Sequence, residues 1–190
     1  MLRVLLVLVS ALVASGSCIS SPGAAEPDQP PNHHAALLGA APAFFDNTGS
    51  RLPSKYASYI SQQNYLLLYF ASNADAKSQK FTTELIKWYL ANGGGTDVEI
   101  ILIGKAIADD DPKTWMQEKG MPWLALAQDD VNHASITAKY GSPLLPTLVL
   151  VDENDEVVAR SNEGEKNLGT RVVLKKYLEL TKVPKVPKKK

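Results

Sequence analysis

The residues best suited to chemistry lie at a turn between a predicted strand and a predicted helix. Asp75 and Ser78 are three residues apart in the stretch LLLYFASNADAKSQKFTTEL, which runs from Leu66 to Leu85. A carboxylate can act as a general base and a hydroxyl as a nucleophile, but a serine hydroxyl needs an adjacent base. The neighbouring sequence supplies no histidine or metal ligand to complete such a site. Asp75 is therefore predicted to cap the helix N-terminus. A replacement active site with Asp75 as general base is the alternative.

Cys18 is the only cysteine of the 190 residues, so the chain cannot form an intramolecular disulfide. It follows Arg3 and an apolar run from Val4 to Ala14. This run is too short to span a bilayer and is typical of a signal-peptide core. We therefore predict that residues 1–17 are a signal peptide and that the protein is exported to the cell envelope or periplasm.

The residues before Cys18 resemble a bacterial lipoprotein signal, in which the cysteine becomes the acylated first residue of the mature protein. Gly16 and Ser17 suit the two positions before the cysteine, whereas Ser15 departs from the aliphatic residue of the pattern. An unpaired thiol in an exported protein is reactive unless something occupies it. The resemblance implies a lipid anchor on Cys18. The alternative is ordinary cleavage near Ser17 or Ala25, which releases a soluble secreted protein.

Residues 18–42 have the composition of a tether. Serine, proline, glycine and alanine dominate, large apolar residues are sparse, and no hydrophobic period is present. Such a segment cannot bury enough apolar surface to offset the entropy of ordering it, so we predict disorder. His33 and His34 lie inside it. A neighbouring histidine pair can bind a metal weakly, but nothing nearby completes a site. We predict two solvated histidines, no metal and no cofactor.

The folded region is predicted to span residues 43–181, with strands and helices in alternation. The pattern indicates a short strand and loop in PAFFDNTGSRLP and, after it, buried strands with amphipathic helices between them. This order predicts an α/β domain with a central mixed sheet and helices on both faces. The predicted strands are Tyr65–Ala71, Val98–Ile103, Trp123–Ala127, Thr147–Val151 and Glu156–Arg160, and the predicted helices are Tyr56–Ser61, Ala76–Asn92, one ending at Gly120, Val131–Tyr140 and Glu165–Thr181.

Three strings resemble the thioredoxin fold, in particular its tryparedoxin and nucleoredoxin-like branch. The stretch from Leu66 to Leu85 lies without a gap on that branch's strand, W-C-x-x-C turn and helix. MPWLAL (Met121 to Leu126) is similar to its M-P-W-L strand, and YGSPLLPTLVLVDENDEVV (Tyr140 to Val158) is similar to its hairpin. Together these strings cover nearly all of the folded region, so the resemblance implies a thioredoxin-like fold.

The resemblance also shows where this sequence departs from the family. Asp75 and Ser78 occupy the two positions of the family's redox cysteines, Ala74 replaces the tryptophan before the first, and Thr83 replaces a helix proline. Thiol–disulfide exchange needs a thiolate nucleophile and a resolving sulfur. The domain is therefore predicted not to be a disulfide oxidoreductase.

Pro146 is retained from the family pattern. In the family this proline is cis and faces the redox turn, where the flanking backbone pairs with extended polypeptide. The resemblance therefore implies a peptide-binding face that contains Asn73, Asp75, Leu145, Pro146 and Thr147. The alternative is that the hairpin needs the proline only to fold.

Charge and composition leave two classes of function open. Lysine plus arginine and aspartate plus glutamate are equal in number, at 20 each, which does not favour a nucleic-acid partner. The basic tail, residues 182–190, is predicted to be extended, and it either attracts an anionic membrane or keeps the chain soluble. We predict an exported, membrane-tethered module that binds an unknown protein or an extended peptide. The alternative is a thioredoxin-superfamily enzyme of cell-envelope redox homeostasis that works without its own cysteines.

Overall fold

A computed structural model describes residues 33–39, 42–53, 55–95, 98–105 and 111–181. The predicted signal peptide, Cys18 and the basic tail lie outside these residues. None of the helices within the described ranges is both long and apolar enough to cross a membrane.

The centre of the domain is a mixed six-stranded sheet with the order β1-β4-β3-β2-β5-β6. The pairs β2–β3 and β3–β4 are parallel, and β1–β4, β2–β5 and β5–β6 are antiparallel. The predicted mixed sheet is confirmed. The six strands are β1 Phe44–Phe45, β2 Tyr65–Ala71, β3 Glu99–Gly104, β4 Leu124–Leu126, β5 Thr147–Asp152 and β6 Val157–Arg160.

Among the described residues, six helices accompany the sheet, and they are divided between its two faces. They are α1 Ala35–Leu38, α2 Lys55–Ile60, α3 Ala76–Ala91, α4 Pro112–Lys119, α5 His133–Tyr140 and α6 Thr170–Thr181. Alternate residues of β2 point to opposite faces, because side chains alternate along a strand. Leu67, Tyr69 and Ala71 join one apolar cluster with α3, α4 and α6. Leu66, Leu68 and Phe70 join another with α1, α2 and α5. Both faces of β2 are therefore buried, as its apolar sequence predicts.

The last helix starts later than its sequence predicts. A small hairpin, with β7 at Asn162–Glu163 and β8 at Lys166–Asn167, occupies part of the segment assigned to that helix, which begins at Thr170. Gly164 stands in the hairpin turn with φ 58°. Glycine tolerates this left-handed conformation because it has no Cβ. The strand residues of the hairpin are polar and, except for the buried Asn162, exposed, so they lack the alternating apolar pattern by which strands are predicted.

The segment from residue 33 to 39 is folded, which corrects the predicted disorder for that part of the tether. His34 is only 1% exposed, so the prediction of two solvated histidines is wrong for this residue. Its Nδ1 lies 2.9 Å from Asp155 Oδ1, and its Nε2 lies 2.9 Å from the Gln63 carbonyl oxygen. Leu37 and Leu38 are buried in the second apolar cluster. Asp155 is 121 residues away in sequence, which is why local composition did not predict the contact.

Candidate functional site at the carboxyl edge of the sheet

The candidate site lies where β2 ends and the chain turns into α3. Ala71 is the parallel partner of Gly104, so β2 and β3 end at the same edge of the sheet. β5 runs the other way and begins there, with Thr147 opposite Phe70. The register therefore brings the turn from Ser72 to Asp75 and the segment from Leu145 to Thr147 to one edge, which is where open α/β sheets place ligands.

Asp75 caps α3, as the sequence predicts. Its backbone is extended (φ −97°, ψ 115°), and its Oδ2 accepts two hydrogen bonds of 2.7 Å, from the backbone N–H and from the hydroxyl of Ser78. This is the geometry of an N-cap, in which a carboxylate satisfies N–H groups that have no partner within the helix. Asp75 itself is half-buried. The turn is thus organised around the start of a helix.

Ser78 lies inside the domain instead of on the candidate face. Its exposed fraction is 0%, and its hydroxyl proton points to Asp75. A carboxylate that accepts a serine proton resembles half of a nucleophilic pair. The complete burial of Ser78 keeps a substrate from its oxygen, so this arrangement does not provide a nucleophile.

The Tyr69 hydroxyl stabilises the first turn of α3 through hydrogen bonds, a role that the sequence did not indicate. Its hydroxyl lies 2.8 Å from Thr82 Oγ1 and 3.2 Å from the Ser78 carbonyl oxygen, which also accepts from the Thr82 hydroxyl. Burial raises the pKa of Tyr69 well above its ordinary value, so the phenol stays neutral. The group is a buried structural hydrogen-bonding residue and has no role as a base.

The segment around Pro146 is fixed on both sides. The Leu145–Pro146 peptide bond is cis. The Ser142 hydroxyl oxygen accepts from the Leu144 N–H at 3.1 Å, and the Thr147 hydroxyl donates to the Leu144 carbonyl oxygen at 2.6 Å. These bonds leave the loop with little freedom.

Asn162, at the start of the β7–β8 hairpin, completes this network. Its Nδ2 donates to Thr147 Oγ1 at 2.6 Å, and its side chain is buried. The hydroxyl of Thr147 already uses its proton on Leu144, so it must accept from the amide nitrogen. Asn162 therefore holds the start of β5 from the far side. The sequence carried no signal for this contact.

Leu145 differs from its neighbours in the hydrogen bonding of its backbone. Its side chain packs against the second apolar cluster, yet its backbone N–H and C=O have no hydrogen-bond partner anywhere in the described ranges. Backbone groups away from water are nearly always paired. Leu145 is a half-buried residue, and its main chain therefore offers one donor and one acceptor at the edge of the sheet.

The predicted face residues lie at one edge of the sheet, and His133 is hydrogen-bonded at the same edge. Asn73 is half-buried, and its carbonyl oxygen accepts from Gln79 Nε2 at 2.6 Å. His133, at the start of α5, has its Nε2 3.0 Å from the Gly104 carbonyl oxygen. That nitrogen must carry the proton of the hydrogen bond, because a carbonyl oxygen can only accept. Within the described part of the chain, no three side chains of the metal-binding types are grouped.

Comparison with known proteins agrees with this architecture. Bovine (Bos taurus) nucleoredoxin is 28% identical over 100 residues, which are 52% of this chain and 22% of that protein. The chain thus spans about a fifth of the length of this relative. Tryparedoxin II from C. fasciculata superimposes with a TM-score of 0.58 at 21% identity, covering 82% of this chain and 96% of that one. Thioredoxin from Wuchereria bancrofti gives 0.56 at 15% identity, covering 74% and 96%. The likeness to these structures shows the fold.

The family follows from the sequence match and the sheet together. A family model described as thioredoxin-like matches residues 63–157, half of the chain, from the turn before β2 to the first residue of β6. The predicted thioredoxin-like fold is confirmed, with tryparedoxins and nucleoredoxin among the similar proteins. The chain belongs to the thioredoxin-like family.

Proposed function

We propose that this chain is a thioredoxin-like module that lacks thiol–disulfide activity and binds an extended peptide at the carboxyl edge of its sheet. The single observation that carries the proposal is the open main chain of Leu145, which lies beside the end of β2 and is fixed by the hydrogen bonds of its neighbours. An extended peptide can pair with such a donor and acceptor as another strand would.

The absence of redox activity rests on the two turn positions. The family resemblance assigns its cysteines to Asp75 and Ser78, and the chain's only cysteine is Cys18, ahead of the folded region. Disulfide exchange requires a thiolate that attacks and a second sulfur that resolves the intermediate. Asp75 and Ser78 are instead hydrogen-bonded to each other. Binding at this edge is therefore reversible, because no covalent step traps the peptide.

Charge favours one class of peptide. Asp75 is half-buried at the rim of the site and carries a carboxylate. A positive or neutral peptide is preferred over an acidic one, since like charges across an interface oppose association. We further propose that the protein is exported and held at a membrane by lipid on Cys18. This part rests on the signal-like sequence alone.

A photo-crosslinking experiment tests the site. A photoreactive amino acid is placed at Ala74, which is exposed beside Asp75, and separately at Asn64, which is exposed at the opposite end of β2. Illumination of producing cells should give discrete adducts from position 74 and not from position 64. Identical adduct patterns from the two positions would overturn the proposed site.

A matched variant tests the charge preference. Asp75→Asn keeps a good N-cap residue and removes the negative charge. The variant should lower the yield of the position-74 adduct with a basic peptide without altering the melting temperature. The redox part has its own assay, which is reduction of insulin with dithiothreitol as electron donor. Turnover above the uncatalysed rate contradicts the proposed lack of activity but leaves the binding site untouched.

A further inference from the structure

The N-terminal segment (residues 33–39) is held on the domain by a buried histidine with two acceptors. His34 Nδ1 faces the Asp155 carboxylate and His34 Nε2 faces the Gln63 carbonyl oxygen, each at 2.9 Å. The other oxygen of Asp155 accepts the Leu37 N–H at 2.9 Å. Both side chains of the His34–Asp155 pair are almost completely buried. One carboxylate therefore fastens the segment at two points.

The two hydrogen bonds of His34 need one more proton than a neutral histidine supplies. A carbonyl oxygen accepts only, so Nε2 must carry a hydrogen for its bond to Gln63. The bond between Nδ1 and Asp155 needs a second hydrogen, which lies either on the imidazole or on the carboxyl oxygen. A neutral imidazole beside an ionised carboxylate lacks this hydrogen and leaves two lone pairs facing each other. Buried polar groups without a partner are costly.

The other titratable groups near the pair are the half-buried His33, Tyr140 and two exposed side chains. His33 lies edge-on to His34, with 6.3 Å between ring centroids, and its Nδ1 is 3.2 Å from the Gln63 carbonyl oxygen. Lys139 of α5 and Glu156 of the β5–β6 turn are exposed. The Tyr140 hydroxyl donates to the backbone oxygen of Asp155. The proton that completes the network thus belongs to His34 and Asp155.

We propose that these contacts, here called the His34 latch, form a pH-sensitive lock that docks the N-terminal segment at low pH and releases it as the pH rises. This inference goes beyond the peptide-binding proposal and does not depend on it. Undocked and solvated, a histidine loses its proton at about pH 6.5. Docking above that pH takes up a proton, so the docking equilibrium constant falls by up to about tenfold per pH unit. Release exposes Leu37 and Leu38, which are buried in the docked segment.

Hydrogen exchange at one backbone amide measures the latch directly. The Leu37 N–H donates to Asp155 Oδ2, so its protection factor reports docking. In the full-length protein, this protection factor should fall between pH 6.5 and pH 8.5, by up to about tenfold per pH unit. The amide of Leu67, a fully buried residue of β2, serves as the reference for opening of the whole domain.

Asp155→Asn is the decisive variant because its side chain can form the same hydrogen bonds while His34 stays neutral. The amide oxygen can accept from Leu37, and the amide nitrogen can donate to a neutral His34. Asparagine also tolerates the left-handed backbone of Asp155, whose φ is 63°. The variant should keep Leu37 protected, remove the pH dependence, and exceed the wild type at pH 8.5. His33→Gln should retain the wild-type pH dependence.

Three outcomes would overturn the proposal. The first is a Leu37 protection factor that is independent of pH in the wild type, or no protection at any pH. The second is an Asp155→Asn variant whose protection falls with pH as the wild type's does. The third is loss of the pH dependence in His33→Gln, which would assign the proton to the neighbouring ring.

Discussion

Replacing Glu99 by glutamine should make the domain more stable above neutral pH. Glu99 is the first residue of β3, only 4% exposed, and lies at the end of the sheet opposite the candidate site. Its Oε1 accepts the Ile100 N–H at 2.9 Å and the Tyr89 hydroxyl at 3.2 Å. Burial raises the pKa of Glu99 to about 7, and these two hydrogen bonds only partly oppose the shift. In the same cluster, burial and the Glu99 charge raise the pKa of Tyr59 to about 12.

The sign and size of the effect follow from the two protonation states. The ordinary pKa is 4.5, so the unfolded chain releases the Glu99 proton at a lower pH than the folded domain does. Between these values the folded state binds more protons, and the free energy of unfolding falls as the pH rises. Above the folded value, the shift corresponds to about 3 kcal/mol, since one pKa unit is about 1.4 kcal/mol. Glutamine carries no charge and escapes this loss.

Urea denaturation at several pH values between 4.5 and 8.5, followed by the fluorescence of the buried Trp115 and Trp123, measures the effect. The stability of Glu99→Gln relative to wild type should increase by about 3 kcal/mol from the lowest to the highest pH. The exposed Glu165→Gln is the matched control and should track the wild type. A Glu99→Gln difference that is the same at pH 5 and pH 8 refutes the reasoning.

Three further predictions concern the cap, a glycine and the N-terminus. Asp75→Ala should lower the free energy of unfolding by about 1–2 kcal/mol and Asp75→Asn by much less, and equal losses in urea denaturation would argue against capping. Gly94→Ala should cost at least about 1 kcal/mol, because its Cβ would meet the Tyr89 ring at 2.2 Å, and an unchanged melting temperature would contradict this contact. Mass spectrometry of the native protein should find diacylglycerol on Cys18, and Cys18→Ser should release it from membranes; an unmodified mature chain would rule out the anchor.

Elements with strong local signals were predictable from the sequence. β2 matches its prediction at both ends, Tyr65 and Ala71, because a run of apolar residues is bounded by polar ones. α3 begins where the capping residue Asp75 predicts. In both cases the determining interactions lie within a few residues along the chain, so the sequence pattern contains them.

Features that depend on distant partners could not be predicted. The burial of His34 requires Asp155, and the hold on Thr147 requires Asn162, neither of which changes the local composition. The candidate site shows the same division. The capped turn was predictable, whereas the open main chain of Leu145 became visible only once the neighbouring hydrogen bonds were known.

The separation of the His34 latch from Leu145 has a mechanical consequence. Gln63 accepts from His34 just before β2 begins, whereas Leu145 lies just before β5, near the other end of β2. Tension between His33 and a partner bound at Leu145 would therefore run along the strands. His34 is held by Gln63 before β2 and by Asp155 after β5, so a load on it enters both strands, which six residue pairs join along their length. A load between these two points would therefore act along the strands, and the hydrogen bonds of His34 would be the first to carry it.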